Sequence, residues 1–217
     1  MYLSPSEAAE HCRLGASIWH FASSPDSTGG GRPSTANPDV VLVGIGVEVN
    51  FEVVKAAELL RTLCAPLRVR VINVTDLMIL APESRHPHAL SRDLFLEMFT
   101  EDRPVLFNYH GYATELQGLL FGRLGVERMS VEGYREEGTT TTPFDMMLVN
   151  CVSRFDVAAR ALRAGARNND EVKGRLDGLL KEVDKRVEDV RNYIGKFGKG
   201  EVPLESIARC ERRRWLT

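Results

Sequence analysis

Val40-Val41-Leu42-Val43-Gly44-Ile45-Gly46-Val47-Glu48-Val49-Asn50 is the stretch that decides the fold of this chain. Four apolar, mostly β-branched residues without polar alternation read as a strand buried on both faces, the kind found in parallel sheets. The glycine pair closes that strand in a tight turn. Asn50 then reads as the cap of a helix from Phe51 to Leu63, with Val53, Val54, Ala57, Leu60 and Leu63 as its apolar face. The same alternation continues downstream. Strands are expected over Val69–Val74, Arg103–Tyr109 and Arg128–Val131. A short turn spans Asp76–Leu80, Ser91 opens a helix through Phe99, and a further helix covers Thr114–Phe121. Phe144-Asp145 begins a stretch whose pattern favours neither helix nor strand. Arg154–Arg163 then returns to helical spacing, with Phe155, Ala158, Ala159 and Leu162 inward. Strands alternating with helices of this length predict an α/β fold. We expect a three-layer α/β/α sandwich around a mostly parallel sheet of about five strands.

The flanks differ from this core. Ser4-Pro5-Ser6-Glu7 reads as an N-cap with proline in the first turn, followed by a helix over Ala8–Phe21 with Ala8, Cys12, Gly15, Ile18 and Trp19 along one side. Residues 22–37 turn to Ser, Pro, Gly and Thr around Gly29-Gly30-Gly31, the composition of a flexible linker. At the other end Asn168-Asn169-Asp170 caps a long helix to about Ile194, weakened at its start by Gly174 and Gly178. Its apolar positions Val172, Leu176, Leu179, Val183, Val187, Val190 and Ile194 step by three or four residues. Docking on its own domain is the expected use of that stripe, with a coiled coil as the rival. The segments are therefore 1–38, a connecting helix and linker; 39–166, the α/β core; and 167–217, a helical extension.

Composition narrows the function classes. With 28 basic against 30 acidic residues the net charge is −2, which gives no basic surplus for nucleic acid. The apolar runs are too short to span a bilayer, and Met1–Cys12 carries Ser4, Glu7 and Glu10 instead of a secretory leader. A cytoplasmic setting is expected, without membrane or nucleic-acid partners. The four cysteines (Cys12, Cys64, Cys151 and Cys210) form no metal-binding pair and read as free thiols.

Few motifs carry chemistry. Gly44-Ile45-Gly46 follows a strand like a dinucleotide loop, but Val49 stands where a third glycine belongs, and the second strand ends near neutral Asn73 instead of an acid. Neither a Gly-x-Ser-x-Gly elbow nor a Walker A loop occurs. His86 and His88 flank Pro87, so both could face one ligand, although bonding to neighbouring loops is the commoner use of such residues. His110 and Tyr112 end a strand at the carboxyl edge, together with Gly44 and Gly46, where ligands and interfaces gather in α/β sheets. A structural hydrogen bond from His110 is at least as well supported as a catalytic role. Glu136-Glu137 beside Arg135 reads as a solvated pair. Thr139, Thr140, Thr141 and Thr142 lie between Gly138 and Pro143 and offer either a hydrogen-bonded turn or an outward polar surface; the outward surface is the favoured reading.

Taken in order, four blocks resemble the C-terminal domain of xylulose 5-phosphate/fructose 6-phosphate phosphoketolase. They are Arg85-His86-Pro87-His88, Asn108-Tyr109-His110-Gly111-Tyr112, Arg135 to Asp145, and Ser153-Arg154-Phe155-Asp156. The resemblance runs from about Leu3 to Arg163, with a looser match at Arg214-Trp215. The glycine turn is similar to the Gly-x-Gly-x-Glu turn of transketolase-type C-terminal domains, which packs strand against helix. The resemblance implies a parent that cleaves xylulose 5-phosphate or fructose 6-phosphate with inorganic phosphate. The products would be acetyl phosphate, an aldose phosphate and water, with thiamine diphosphate and a divalent metal (Mg) as cofactors. Enzymes of that class hold diphosphate and metal on a Gly-Asp-Gly element, which this sequence lacks. The chain is therefore expected to be a fragment that binds neither cofactor and is inactive alone. Its partners would be the N-terminal and middle domains and a second subunit of a homodimer, with the helix Ser4–Phe21 as the connection. The threonine turn and the His110-Gly111-Tyr112 edge would face those partners. The alternative is a regulatory module holding a phosphorylated metabolite at Gly44, Gly46, Arg135 and the threonines.

Overall fold

Alternate residues of the valine-rich strand enter two different cores, and that places the sheet in the middle of three layers. The structure, a computed structural model, describes residues 3–25, 37–135, 138 and 140–198. Strands β1 (Ala16–Ile18), β2 (Val40–Ile45), β3 (Val69–Val74), β4 (Val105–Tyr112) and β5 (Met129–Tyr134) form one sheet in the order β1-β3-β2-β4-β5. Every pairing from β3 to β5 is parallel; β1 runs antiparallel along β3, with Ala16 opposite Val74. Val40, Leu42, Val69, Val71 and Leu106 face one core, which is completed by α2 (Val47–Leu63), α6 (Arg154–Gly165) and α7 (Asp170–Phe197). Val41, Val43, Ile72, Val74, Val105 and Phe107 face the other, covered by α3 (Arg92–Phe99), α4 (Ala113–Leu120) and the 3-10 turn Leu77–Leu80.

The first helix is shorter than expected. α1 spans Pro5–Leu14, opened by a capping box between Ser4 and Glu7 and closed by Gly15 in the left-handed conformation. The chain then turns back into β1, so the segment after Gly15 is strand and not helix. Residues just past β1 continue along the same edge. The Trp19 and Ser24 amides donate to the carbonyls of Val71 and Val69, both at 2.8 Å. The Ser23 and Ser24 hydroxyls accept the amides of Val71 and Val69 at 2.9 and 2.8 Å. Ala22 and Ser23 are buried, so the linker does not begin at residue 22, while Gly29–Gly31 lie outside the described residues.

Three more boundaries move. α2 begins at Val47 with Gly46 as its N-cap, one residue after β2 ends, which leaves Asn50 inside the helix. β4 runs on to Tyr112 through an irregularity after Asn108, and β5 to Tyr134. The stretch after the threonines is a helix, α5 (Pro143–Val149). α7 lays Val172, Leu179 and Val183 on the core, with Leu176, Val187, Val190 and Ile194 packed beside them, so its stripe is used within the domain. Asn169 fixes its start: Oδ1 accepts the Val172 amide, and Nδ2 donates to Asp39 Oδ2 at 3.1 Å and to the Pro66 carbonyl at 3.2 Å.

Candidate functional site

In parallel sheets the carboxyl ends of the strands, where loops lead into helices, are where side chains of different elements converge. Here that edge gathers the end of β2, the first turn of α2, and the ends of β4 and β5. Gly44 sits under α2: a β-carbon at this position would stand 3.0 Å from Asn50 Cα and closer still to its Oδ1. Gly46 has φ +108°, which L-residues rarely adopt, and a β-carbon there would overlap His110 Cβ. Both glycines therefore serve close packing. The space that a dinucleotide loop keeps for phosphate is filled by Asn50 and His110.

His110 Nδ1 lies 2.9 Å from Glu48 Oε2, with both side chains more than half exposed. Beside this pair the rings of Tyr112 and Tyr134 meet edge-on at 5.4 Å. Val47 and Phe51, one turn apart on α2, are also exposed. The sequence marks Glu48 only as the last residue of the Gly-x-Gly-x-Glu turn, and it gives no site role to Glu48, Val47 or Phe51. The available signal was that Val47 and Phe51 fall off the stripe Val49, Val53, Ala56 and Leu60 that α2 buries.

A buried polar layer supports the edge from below. Asn108, fully buried, donates to the Val152 carbonyl at 2.9 Å and the Val49 carbonyl at 3.4 Å, and accepts from Arg160 Nη2 at 3.1 Å. Burial outweighs the nearby Glu132 and Asp156 charges and lowers the pKa of Arg160 below the ordinary arginine value. Glu52, also buried, accepts the Arg154 amide (2.7 Å), Nε (2.9 Å) and Nη2 (2.7 Å), and the Arg154 guanidinium lies over the Phe144 ring at 5.2 Å. Ser153 caps α6 by accepting the Asp156 amide, and its hydroxyl donates to the Asp156 carboxylate. Burial raises the Asp156 pKa against the lowering effect of those Ser153 bonds. The Ser153-Arg154-Phe155-Asp156 block is thus a cap, a buried ion pair and a core residue in succession.

The remaining sequence candidates do not join the edge as one site. The His88 amide donates to His86 Nδ1 at 3.1 Å, and His88 Nδ1 lies 3.1 Å from Asp76 Oδ2, so both histidines organise their own loop. The Arg135 amide donates to Asn150 Oδ1 at 2.5 Å, and its guanidinium to Glu132 at 2.6 Å. Thr142 is the N-cap of α5, accepting the Asp145 amide at 3.3 Å, and the Thr141 hydroxyl donates to the Asp145 carboxylate. These two threonines therefore build a turn, against the outward surface expected of them. Thr140 is exposed; Thr139, Glu136 and Glu137 lie outside the described residues.

Among the described residues no cluster of three His, Cys, Asp or Glu side chains is placed to hold a metal ion, and no helix is long and apolar enough to cross a membrane. Cys12, Cys64 and Cys151 are free thiols. The edge does not fit a diphosphate cofactor, since its glycine turn is packed shut by Asn50 and His110.

The sheet order and the filled glycine turn define an α/β domain of the transketolase C-terminal type. Transketolase from Leishmania mexicana shares this fold with a TM-score of 0.50 over 73% of this chain and 19% of that one, at 14% identity. The chain belongs to the family described as the XFP C-terminal domain, whose model matches residues 1–207. A probable phosphoketolase of Schizosaccharomyces pombe is 50% identical over 193 residues, which is 89% of this chain and 22% of that protein. Probable phosphoketolases of Mesorhizobium japonicum and Chlorobaculum tepidum are 39% and 36% identical over 91% of this chain, covering 23% and 24% of their own lengths. The chain therefore spans less than a quarter of the length of these relatives.

Proposed function

We propose that this chain is the C-terminal domain of a thiamine-diphosphate-dependent phosphoketolase, and that its work in the parent enzyme is domain packing and dimer assembly. The parent cleaves xylulose 5-phosphate or fructose 6-phosphate with inorganic phosphate to acetyl phosphate, an aldose phosphate and water. Thiamine diphosphate and magnesium, bound outside this domain, supply the electron sink for the carbanion. The observation that carries the structural role is the carboxyl edge itself. Its glycine turn is filled by Asn50 and His110, and what it offers outward is mostly apolar and aromatic. A phosphorylated effector would need free donors there, and the edge instead presents Glu48 paired with His110.

The test is an acetyl phosphate assay with either ketose phosphate, phosphate, thiamine diphosphate and magnesium, run on the 217-residue chain and on the full polypeptide. Turnover by the full polypeptide and none by the chain is the expected result. Turnover by the chain alone, or an inactive full polypeptide, refutes the proposal. Calorimetric titration of the chain with thiamine diphosphate and magnesium is expected to show no binding.

A further inference from the structure

Resting on the phosphoketolase reading, we infer that the row Val47, Phe51, Glu48–His110, Tyr112 and Tyr134 is the face on which the preceding part of the same polypeptide docks. Val47 and Phe51 are 67% and 60% exposed, and Tyr112 and Tyr134 are 42% and 41% exposed. These side chains occupy adjacent elements: the first turns of α2, then the end of β4, then the end of β5. All stand on rigid secondary structure, with glycine-tight packing beneath Gly46. Aromatic side chains on a pre-formed surface are what protein interfaces use as anchors, because they bury much area for little lost rotamer freedom. The one ion pair in the row, His110 with Glu48, is made internally. A partner therefore needs no countercharge and should present an uncharged, largely apolar surface.

The route of the chain favours an occupant in cis. Gly15, at the end of α1, accepts the amides of Thr75 and Asp76 through its carbonyl at 2.8 and 3.0 Å, immediately beyond the carboxyl end of β3. α1 itself buries only His11. α1 is ten residues long, about 15 Å, so polypeptide leading into Ser4 arrives within about 15 Å of the carboxyl end of β3, which is itself about two strand spacings (about 10 Å) from the middle of the row. In the curated relatives more than three quarters of the length lies outside the matched part. A neighbour tethered at this distance acts at an effective concentration that a separate molecule does not reach.

Hydroxyl-radical footprinting tests the assignment. The labelling rates of Phe51, Tyr112 and Tyr134 are measured in the 217-residue chain and in the full polypeptide, above and below the concentration at which the latter dissociates to monomers. Phe121, exposed and outside the row, serves as the internal reference. We expect the three rings to react about fivefold more slowly in the full polypeptide at both concentrations, as for residues at an interface centre. Equal rates in chain and full polypeptide overturn the inference, and so does protection lost on dilution, which would assign the face to a second copy. The double variant Phe51→Ser, Tyr134→Ser supplies a second reading. It should lower the melting temperature of the chain only by the share of the Tyr112–Tyr134 ring contact, and raise protease sensitivity of the same domain more in the full polypeptide than in the chain; an equal rise in both counts against docking. The acetyl phosphate assay separates the two claims. Activity without protection removes the docking face and keeps the phosphoketolase reading, whereas protection without activity does the reverse.

Discussion

Replacing Arg123 by methionine should destabilise this domain more than any surface change. Arg123 is buried and spends its guanidinium on three carbonyls: Ile79 (2.8 Å), Leu80 (3.1 Å) and Leu90 (2.9 Å). The same group lies over the Phe95 ring at 4.3 Å. It thereby ties the 3-10 turn after β3 to the start of α3 and the end of α4. Methionine fills the stem but donates nothing. Ile79 keeps the Leu90 amide as a partner at 3.0 Å, so the Leu80 and Leu90 carbonyls carry the loss. At about 1–3 kcal/mol for each buried group left without its donor, the gross cost is about 2–6 kcal/mol. Removing a buried charge returns part of it, since burial already pulls the Arg123 pKa below its ordinary value. A net loss of about 3 kcal/mol follows, or a fall in Tm of about 6–12 °C for a domain of this size. Urea denaturation of the wild-type chain, Arg123→Met and Arg123→Lys measures it. Lysine should lie in between, because one ammonium cannot reproduce the planar fork. Arg163→Met, the same change at an exposed position of α6, should stay within about 0.5 kcal/mol of wild type. An Arg123→Met loss below about 1 kcal/mol would refute the argument that these carbonyls depend on it.

Gly46→Ala should cost about 2–5 kcal/mol, combining a disfavoured φ with overlap on His110; adding His110→Gly should return only the overlap share, and urea titration of single and double variants separates the two. Thr142→Val removes the cap of α5 and should lower stability by about 0.5–2 kcal/mol, whereas Thr140→Val should leave Tm where it is. His11 is held below the ordinary histidine pKa by burial, against an opposing hydrogen bond with Asn73. The unfolded chain thus takes up a proton before the folded one. Stability should be level above about pH 6.5 and fall as pH drops through that value towards the folded pKa. His11→Gln should flatten the slope of Tm between pH 7.5 and 5.5, and an unchanged slope would show that another group sets it.

The central parallel strands were legible because a strand buried on both faces draws on apolar, β-branched residues: Val40–Val43 is an unbroken run, and Val69–Val74 is interrupted only by Arg70 and Asn73. β1 was not, since its three residues sit inside a helical spacing that α1 uses only as far as Leu14. Gly15 was the readable sign of that stop. Asn50 was misread as a cap because the helix needs no side chain there: it starts at Gly46, directly off the strand. The Thr142-Pro143-Phe144-Asp145 stretch carries a capping pattern that the threonine repeat obscured. The edge positions of Gly44, Gly46, His110 and Tyr112 followed from the rule about strand ends. Asn50 meets Gly44 within one strand–helix unit, whereas the partners Glu48 and Tyr134 depend on how β2, β4 and β5 are ordered, which no local pattern encodes. The buried roles of Arg123 and Arg70 were not legible for a related reason, and Asn108 stood out only as the first residue of a block. Polar residues are read as surface unless the carbonyls they will satisfy are already known.

The antiparallel β1 has a consequence for solubility. Without it, Val69-Arg70-Val71-Ile72-Asn73-Val74 would be the outermost strand, six residues with open amides and carbonyls and strong β-propensity. Such an edge is a template for pairing with other chains. β1 is itself only three residues long, and the serines at 23 and 24 occupy two amides just past its end with hydroxyls instead of more strand. The exposed rim is thus short and irregular. A truncation that begins at the core, near residue 39, would keep nearly all of the packed apolar interior and yet strip this guard, leaving a well-packed domain that self-associates along β3.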